Sequence, residues 1–274
     1  HYPGWLTRLQ QSRRRLGRLT RTLLVVYYAY MVEYRAELLF WVLSGTLPLI
    51  LMGAWVKAAS SGLLALSPVD FIRYFLAVFL VRQFTIVWVI WEFETEVLEG
   101  TLSPLLLQPL DPAWRHVAKH VTERLARLPF VAVLIGLFAL LYPEAVWLPA
   151  WTNLLQCLVA TAMAFGLRFI MQYTFAMGAF WIERATAIEQ VWFLFYLFLS
   201  GMIAPLAVFP PAVQAVVVWT PFPYLIHFPA SLLVGLPVDF GRGLLVVIAW
   251  SLLFWGLNRW LWRLGLKHFS AMGA

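Results

Sequence analysis

The sequence predicts an all-α polytopic membrane protein. It has six transmembrane helices, an N-terminal cytoplasmic amphipathic helix over 1–36 and a short external re-entrant hairpin over 210–240, between helices 5 and 6. Three observations carry this reading. The 274 residues are 62% apolar and 12% charged, with a mean hydropathy of +0.80, a composition whose solvent is mostly lipid. Residues 190–238 hold no Asp, Glu, Lys or Arg, yet prolines 205, 210, 211, 221, 223, 229 and 237 interrupt their second part. Basic residues cluster in alternate connecting segments, as expected where Lys and Arg stay on the cytoplasmic side.

The N-terminal segment comes first. Trp5, Leu6, Leu9, Leu16, Leu19 and Leu23 share one sector of a helix, while Arg14, Arg15, Arg18 and Arg21 fall largely outside it. Such a helix lies on the inner leaflet, where each arginine near anionic headgroups adds about 1 kcal/mol. A secretory signal peptide is disfavoured, because Glu33, Arg35 and Glu37 interrupt the apolar run and no small-residue cleavage site follows. The arginine run is explained by membrane lipid, with no nucleic-acid partner needed.

Six crossings of about 20 residues each leave room only for short loops. They fall at 37–56, 71–91, 128–142, 154–181, 191–209 and 244–262, the third starting earlier, near Thr122; together they make one six-span membrane body over 37–274. With the N-terminus inside, fifteen of the twenty basic residues are cytoplasmic and only Lys57, Arg73 and Arg242 lie outside. Both termini are then cytoplasmic, and the proline-rich hairpin must return to the outer face. Proline-rich backbone survives at membrane depth only when packed in protein or lining a cavity.

Arg82 and Arg168 fall in the middle of the second and fourth spans. A charge at that depth costs at least about 2.5 kcal/mol and faces a cavity or a partner. They are therefore pathway candidates for an anionic group, or structural arginines bonded to helix carbonyls or to an acid of a partner. Other constellations are weaker. His116 and His120 are four apart, but Arg115, Lys119 and Arg124 make a metal site unfavourable, and a solvated helix face is expected there. No metal site and no catalytic group is expected. The single Cys157 excludes an intramolecular disulfide. The tryptophans, Trp41, Trp88 and Trp91 among them, read as interfacial belts.

The loop over 92–116 is the most informative soluble piece. Glu92, Glu94, Glu96 and Glu99 precede Gly100-Thr101-Leu102-Ser103-Pro104-Leu105-Leu106-Leu107-Gln108-Pro109-Leu110. Leu105, Leu106 and Leu107 sit where water is expected. An exposed apolar cluster bracketed by acids and prolines marks a protein contact; a loop that merely touches lipid is the alternative.

On these residues the chain resembles a known family. Glu99-Gly100-Thr101-Leu102, then Leu105-Leu106-Leu107 and Pro109-Leu110, is similar to the pattern between the second and third spans of permease subunits of type-2 ABC exporters. Ser200-Gly201, Pro205, Phe209-Pro210, Thr220-Pro221-Phe222 and Pro223-Tyr224 resemble that family's signature between the fifth and sixth spans. The 221–235 stretch, with Phe228-Pro229-Ala230, is most similar to a bacterial branch in which two different permeases often share an ATPase.

The resemblance implies a half-transporter of the bacterial cytoplasmic membrane. Glu99, Gly100, Thr101, Leu102, Leu105, Leu106, Leu107 and Pro109 would couple to an ATPase, and Pro205, Pro210, Pro221, Pro223 and Tyr224 would shape the external hairpin. Two ATP-binding-cassette subunits, carrying ATP and Mg, and a second permease, identical or a paralogue, would complete the unit. The chain itself has no Gly-x-x-x-x-Gly-Lys-Ser/Thr phosphate loop and so no cofactor of its own by that route. An amphiphilic, lipid-like, glycan or drug substrate suits such a pathway. A membrane-embedded enzyme or scaffold is the rival reading, and an ion-coupled secondary transporter a lesser one. The spans offer mainly two arginines, without the midplane acids or internal repeat a carrier would show.

Overall fold

A computed structural model describes residues 4–62 and 66–271, apart from the side chains of 4–16, 19, 35, 37, 38, 44, 270 and 271. The first helix, α1 (Gly4–Glu33), runs unbroken. Of its expected apolar sector, Trp5, Leu6, Leu9, Leu16 and Leu19 lie outside the described side chains. Its C-terminal end docks on protein: Met31 is buried against Ala126 and Phe130.

Helices α2 (Arg35–Ser44) and α3 (Leu47–Ala59) meet at Gly45 and make the first long apolar stretch, Leu39–Ala59. Ser67 and Asp70 then close a capping box, and Pro68 takes the first helical position of α4 (Pro68–Thr85), where its missing N–H costs nothing. This is the central helix. Phe71, Tyr74, Phe75 and Phe79 are all essentially buried, packed by α3 on one side and by later helices on the others.

The sequence reads the second span as one piece. The structure divides it, with α4 ending at Thr85 and α5 (Val89–Leu98) starting after a gap of three residues. Then comes the single turn α6 (Leu102–Leu106), with Pro104 in a first turn that needs no intrahelical N–H there. Helix α7 (Pro112–Leu141), capped by the Asp111 side chain, begins ten residues before Thr122. Much of the expected cytoplasmic loop is thus the ends of α5 and α7.

Helix α8 (Trp151–Ala176) continues through a 3-10 turn to Phe180, α9 (Thr186–Leu199) follows, and α12 (Phe240–Ala271) closes the chain. Five stretches among the described residues are long and apolar enough to cross a bilayer: Leu39–Ala59, Pro68–Leu98, Pro112–Leu141, Trp151–Phe180 and Phe240–Phe269. The expected fifth span, 191–209, is α-helical only as far as Leu199, with a single 3-10 turn later at Leu206–Val208. The 14 residues of α9 rise about 21 Å, short of the ~30 Å hydrocarbon core.

The physical reason is Gly201, whose φ of +88° turns the chain out of the helix. A Cβ there would stand 2.6 Å from both His227 Cβ and the Tyr74 hydroxyl, so only glycine fits. The carbonyls freed by the break are taken up by three other elements. Ser200 O accepts from the His227 N–H at 2.9 Å, Gly201 O from the Tyr74 hydroxyl at 2.9 Å and Ile203 O from Trp55 Nε1 at 2.7 Å.

Beyond it lie α10 (Pro211–Val217), a 3-10 turn at Phe222–Leu225 and α11 (His227–Val234). Helix α11 packs against α4 and α8, with Phe228, Ala230 and Leu232 buried. By contrast α10 is largely exposed.

Candidate functional site

The end of α5 is built around a left-handed glycine. Glu99 caps the helix, its N–H donating to Thr95 O at 2.9 Å, and Gly100 turns at φ +72°. Thr101 then starts α6, whose first residue, Leu102, is fully buried beside Phe93 and Met177. The three leucines behind it are not equivalent. Leu105 is half-buried, Leu106 packs on the same cluster, and Leu107 is 89% exposed. Leu98, Pro104 and Pro109 are exposed as well. The apolar surface here is thus narrower than the sequence suggests and centres on Leu107.

Of the four acids before this turn, three serve the fold. Glu94 accepts from the Thr186 N–H at 2.7 Å and from its hydroxyl at 3.2 Å, satisfying the start of α9. Glu92 pairs with Lys119 at 2.7 Å and with His116 Nδ1 at 3.1 Å, while Glu96 faces His116 Nε2 at 3.3 Å. Only Glu99 is exposed.

His116 and His120 are buried, at 5% and 1% exposure, which corrects the expected solvated face. Among the described residues no cluster of metal-ligating groups occurs. Instead α7 mends the broken second span. His120 Nε2 accepts the Trp88 N–H at 2.9 Å, its Nδ1 donating to His116 O at 2.8 Å. Arg124 donates to the carbonyls of Phe84, Ile86 and His120 with its guanidinium 4.1 Å from the Phe165 ring centroid.

Arg82 and Arg168 meet on one side chain, Tyr196 of α9. Arg168 is 3% exposed, donates from Nη1 to the Tyr196 hydroxyl at 2.7 Å, and lies 4.3 Å from that ring's centroid and 5.3 Å from Trp192's. Arg82 donates to Gly45 O at 3.1 Å and interacts with Tyr196 and Arg168 electrostatically. A buried acid missing from the sequence reading adjoins them. Glu189, 4% exposed, accepts from Gln172 Nε2 at 2.8 Å and interacts with Arg168. Arg168 Nε, Gln172 Oε1 and Trp192 Nε1 have no hydrogen-bond partner among the described residues.

The hairpin prolines divide by role. Pro205 and Pro221 are buried before 3-10 turns, Pro223 is buried within one, and exposed Pro210 precedes α10. Tyr224 ties the turn back, its hydroxyl donating to Val218 O at 2.7 Å.

The signals for what the sequence reading missed were spacings. His120 and Arg124 are four apart, hence on one face of α7, and Glu189 and Tyr196, seven apart, share one face of α9.

Long apolar helices with a buried arginine layer define a multi-pass helical membrane protein. Its family follows from the sequence: the model of the ABC-2 family transporter proteins matches residues 65–273, and the chain belongs to that family. It is a membrane subunit of an ABC-type transporter, a class that works with ATP-binding-cassette ATPase subunits. No curated protein shows a significant match to the chain.

Proposed function

We propose that this chain is the permease of an ATP-driven exporter, moving an amphiphilic substrate with an anionic group out of the cytoplasm or inner leaflet. Lipid-like, glycan and drug molecules fit that description. Power comes from two separate ATPase subunits, which hold the ATP and Mg, and a second permease, identical or related, completes the pathway. The protein sits in the bacterial cytoplasmic membrane with both termini inside, an orientation supported by the fifteen-to-three distribution of basic residues. In this reading α9 is the fifth of six crossings, completed by the backbone from Ser200 onward, and 210–240 is an external re-entrant hairpin.

One observation carries the proposal: the α5–Gly100–α6 turn presents Leu107, 89% exposed, on a base fixed by buried Leu102. A leucine held out from a rigid one-turn helix suits a groove on a partner, and a family member's partner is its ATPase. Leu107→Asp should release that ATPase from the purified complex and abolish ATP-dependent export in liposomes, while leaving the permease folded. Leu106→Asp is the poorer test, because Leu106 packs on the core. Full retention of an ATPase and of export by Leu107→Asp would overturn the proposal.

A further inference from the structure

A groove of about 550 Å³ runs between α4, α7 and α8, separate from the Tyr196 cluster. Val81, Leu128, Ile135, Leu158 and Phe165 line it, no carboxylate among the described residues does, and Arg124 stands at one end. Along α7 it extends from Arg124 to Ile135, eleven residues or about 16 Å. Leu128, Leu158 and Ala162 are exposed on it, so it opens sideways toward the surrounding medium.

Arg124 is 8% exposed and makes no ion pair among the described residues; Glu123, next to it, is engaged by Arg127. Three of its five N–H donors go to carbonyls. Glu123 interacts favourably with it across space, while Arg127 and Arg168 add positive potential around it. A buried guanidinium with no direct ion pair and two N–H donors to spare, at the mouth of an apolar groove, is complementary to an anion with a hydrocarbon tail.

We propose that this groove holds one acyl chain of an anionic phospholipid, its phosphate at the Arg124 end. A free phosphate would make no use of the apolar walls. On the orientation argued above, that end faces the inner leaflet, but the site depends on neither the substrate nor the ATPase.

The test reconstitutes the full chain in vesicles of equal phosphatidylglycerol and phosphatidylcholine, extracts it in mild detergent and weighs the retained lipid by native mass spectrometry. Wild type should retain phosphatidylglycerol over phosphatidylcholine by about fivefold. Ala162→Trp, at an exposed position on the groove, should fold normally and cut total retention by about tenfold. Arg124→Gln should keep the chain but lose the headgroup preference; it also releases the Phe84 and Ile86 carbonyls, so Ala162→Trp is the deciding variant. Retention without preference, wild-type retention by Ala162→Trp, or complete displacement of lipid by inorganic phosphate would each overturn the site.

Discussion

The backbone N–H of Trp88 donates to Nε2 of His120 across 2.9 Å, so a side chain of α7 supplies the acceptor that a continuous second span would have supplied from its own backbone. Arg124, one turn further along α7, takes the matching carbonyls of Phe84 and Ile86. An unpaired backbone group at this depth costs several kcal/mol, and the break persists because a neighbouring helix removes that cost.

Replacing His120 with Leu should therefore destabilise the protein by about 1–3 kcal/mol, the penalty for a buried donor left unsatisfied. His120→Gln, whose side-chain oxygen can still accept, should recover part of the loss. Thermal unfolding in detergent measures both. Equal stability of the Leu and Gln variants would mean that the Trp88 bond contributes nothing.

Arg82 and Arg168 test charge against geometry. If they attract an anionic substrate group, Arg168→Lys and Arg82→Lys should keep much of the ATP-dependent transport, whereas Met at either position should lower it about tenfold or more with the complex intact. If the planar fork on Tyr196 is what counts, Lys should fail nearly as badly as Met, through loss of the complex. Full transport with Met at both positions would dismiss either role.

Orientation is read out by single cysteines in a Cys157→Ala background. Ala215→Cys on exposed α10 should react with an impermeant reagent added outside cells, and Gln108→Cys beside α6 only after the membrane is opened. Ser231 is unsuitable as a probe because it is fully buried. Labelling of Gln108→Cys in intact cells is the result that would reverse the topology.

Gly201 and Gly62 both have left-handed backbone, at φ +88° and +73°, but among the described residues only Gly201 of the two has neighbours within 4 Å of where a Cβ would stand. Gly62→Ala should cost about 1 kcal/mol from the backbone alone. Gly201→Ala should add a further ~1–3 kcal/mol of overpacking against His227 and Tyr74. Denaturation midpoints of the two variants, compared side by side, decide this; equal losses would remove the steric part.

The membrane character and the helical architecture were legible because composition is a global signal that survives without contacts. The break at 86–88 was not. Thr85-Ile86-Val87-Trp88 contains neither Gly nor Pro, and its partners lie 32 to 40 residues away. Apolarity likewise carried the expected fifth span through Ser200-Gly201, since hydropathy is blind to a positive φ. The acids of α5 were visible as a group, but their partners His116, Lys119 and Thr186 come from α7 and α9, so only the fold could show that they point inward. His116 and His120 were placed on a wet face for the same reason.

The short α9 is held very differently at its two flanks. At its C-terminal end, the carbonyls of Ser200, Gly201 and Ile203 are tethered to α11, α4 and α3, while Val191, Leu194 and Phe195 along its length are more than half exposed. A slide along its own axis would break three bonds to three helices at once. A tilt that keeps the C-terminal end in place breaks none of them. Such a tilt would instead have to release the Thr186–Glu94, Gln172–Glu189 and Arg168–Tyr196 bonds, which tie the rest of α9 to α5 and α8.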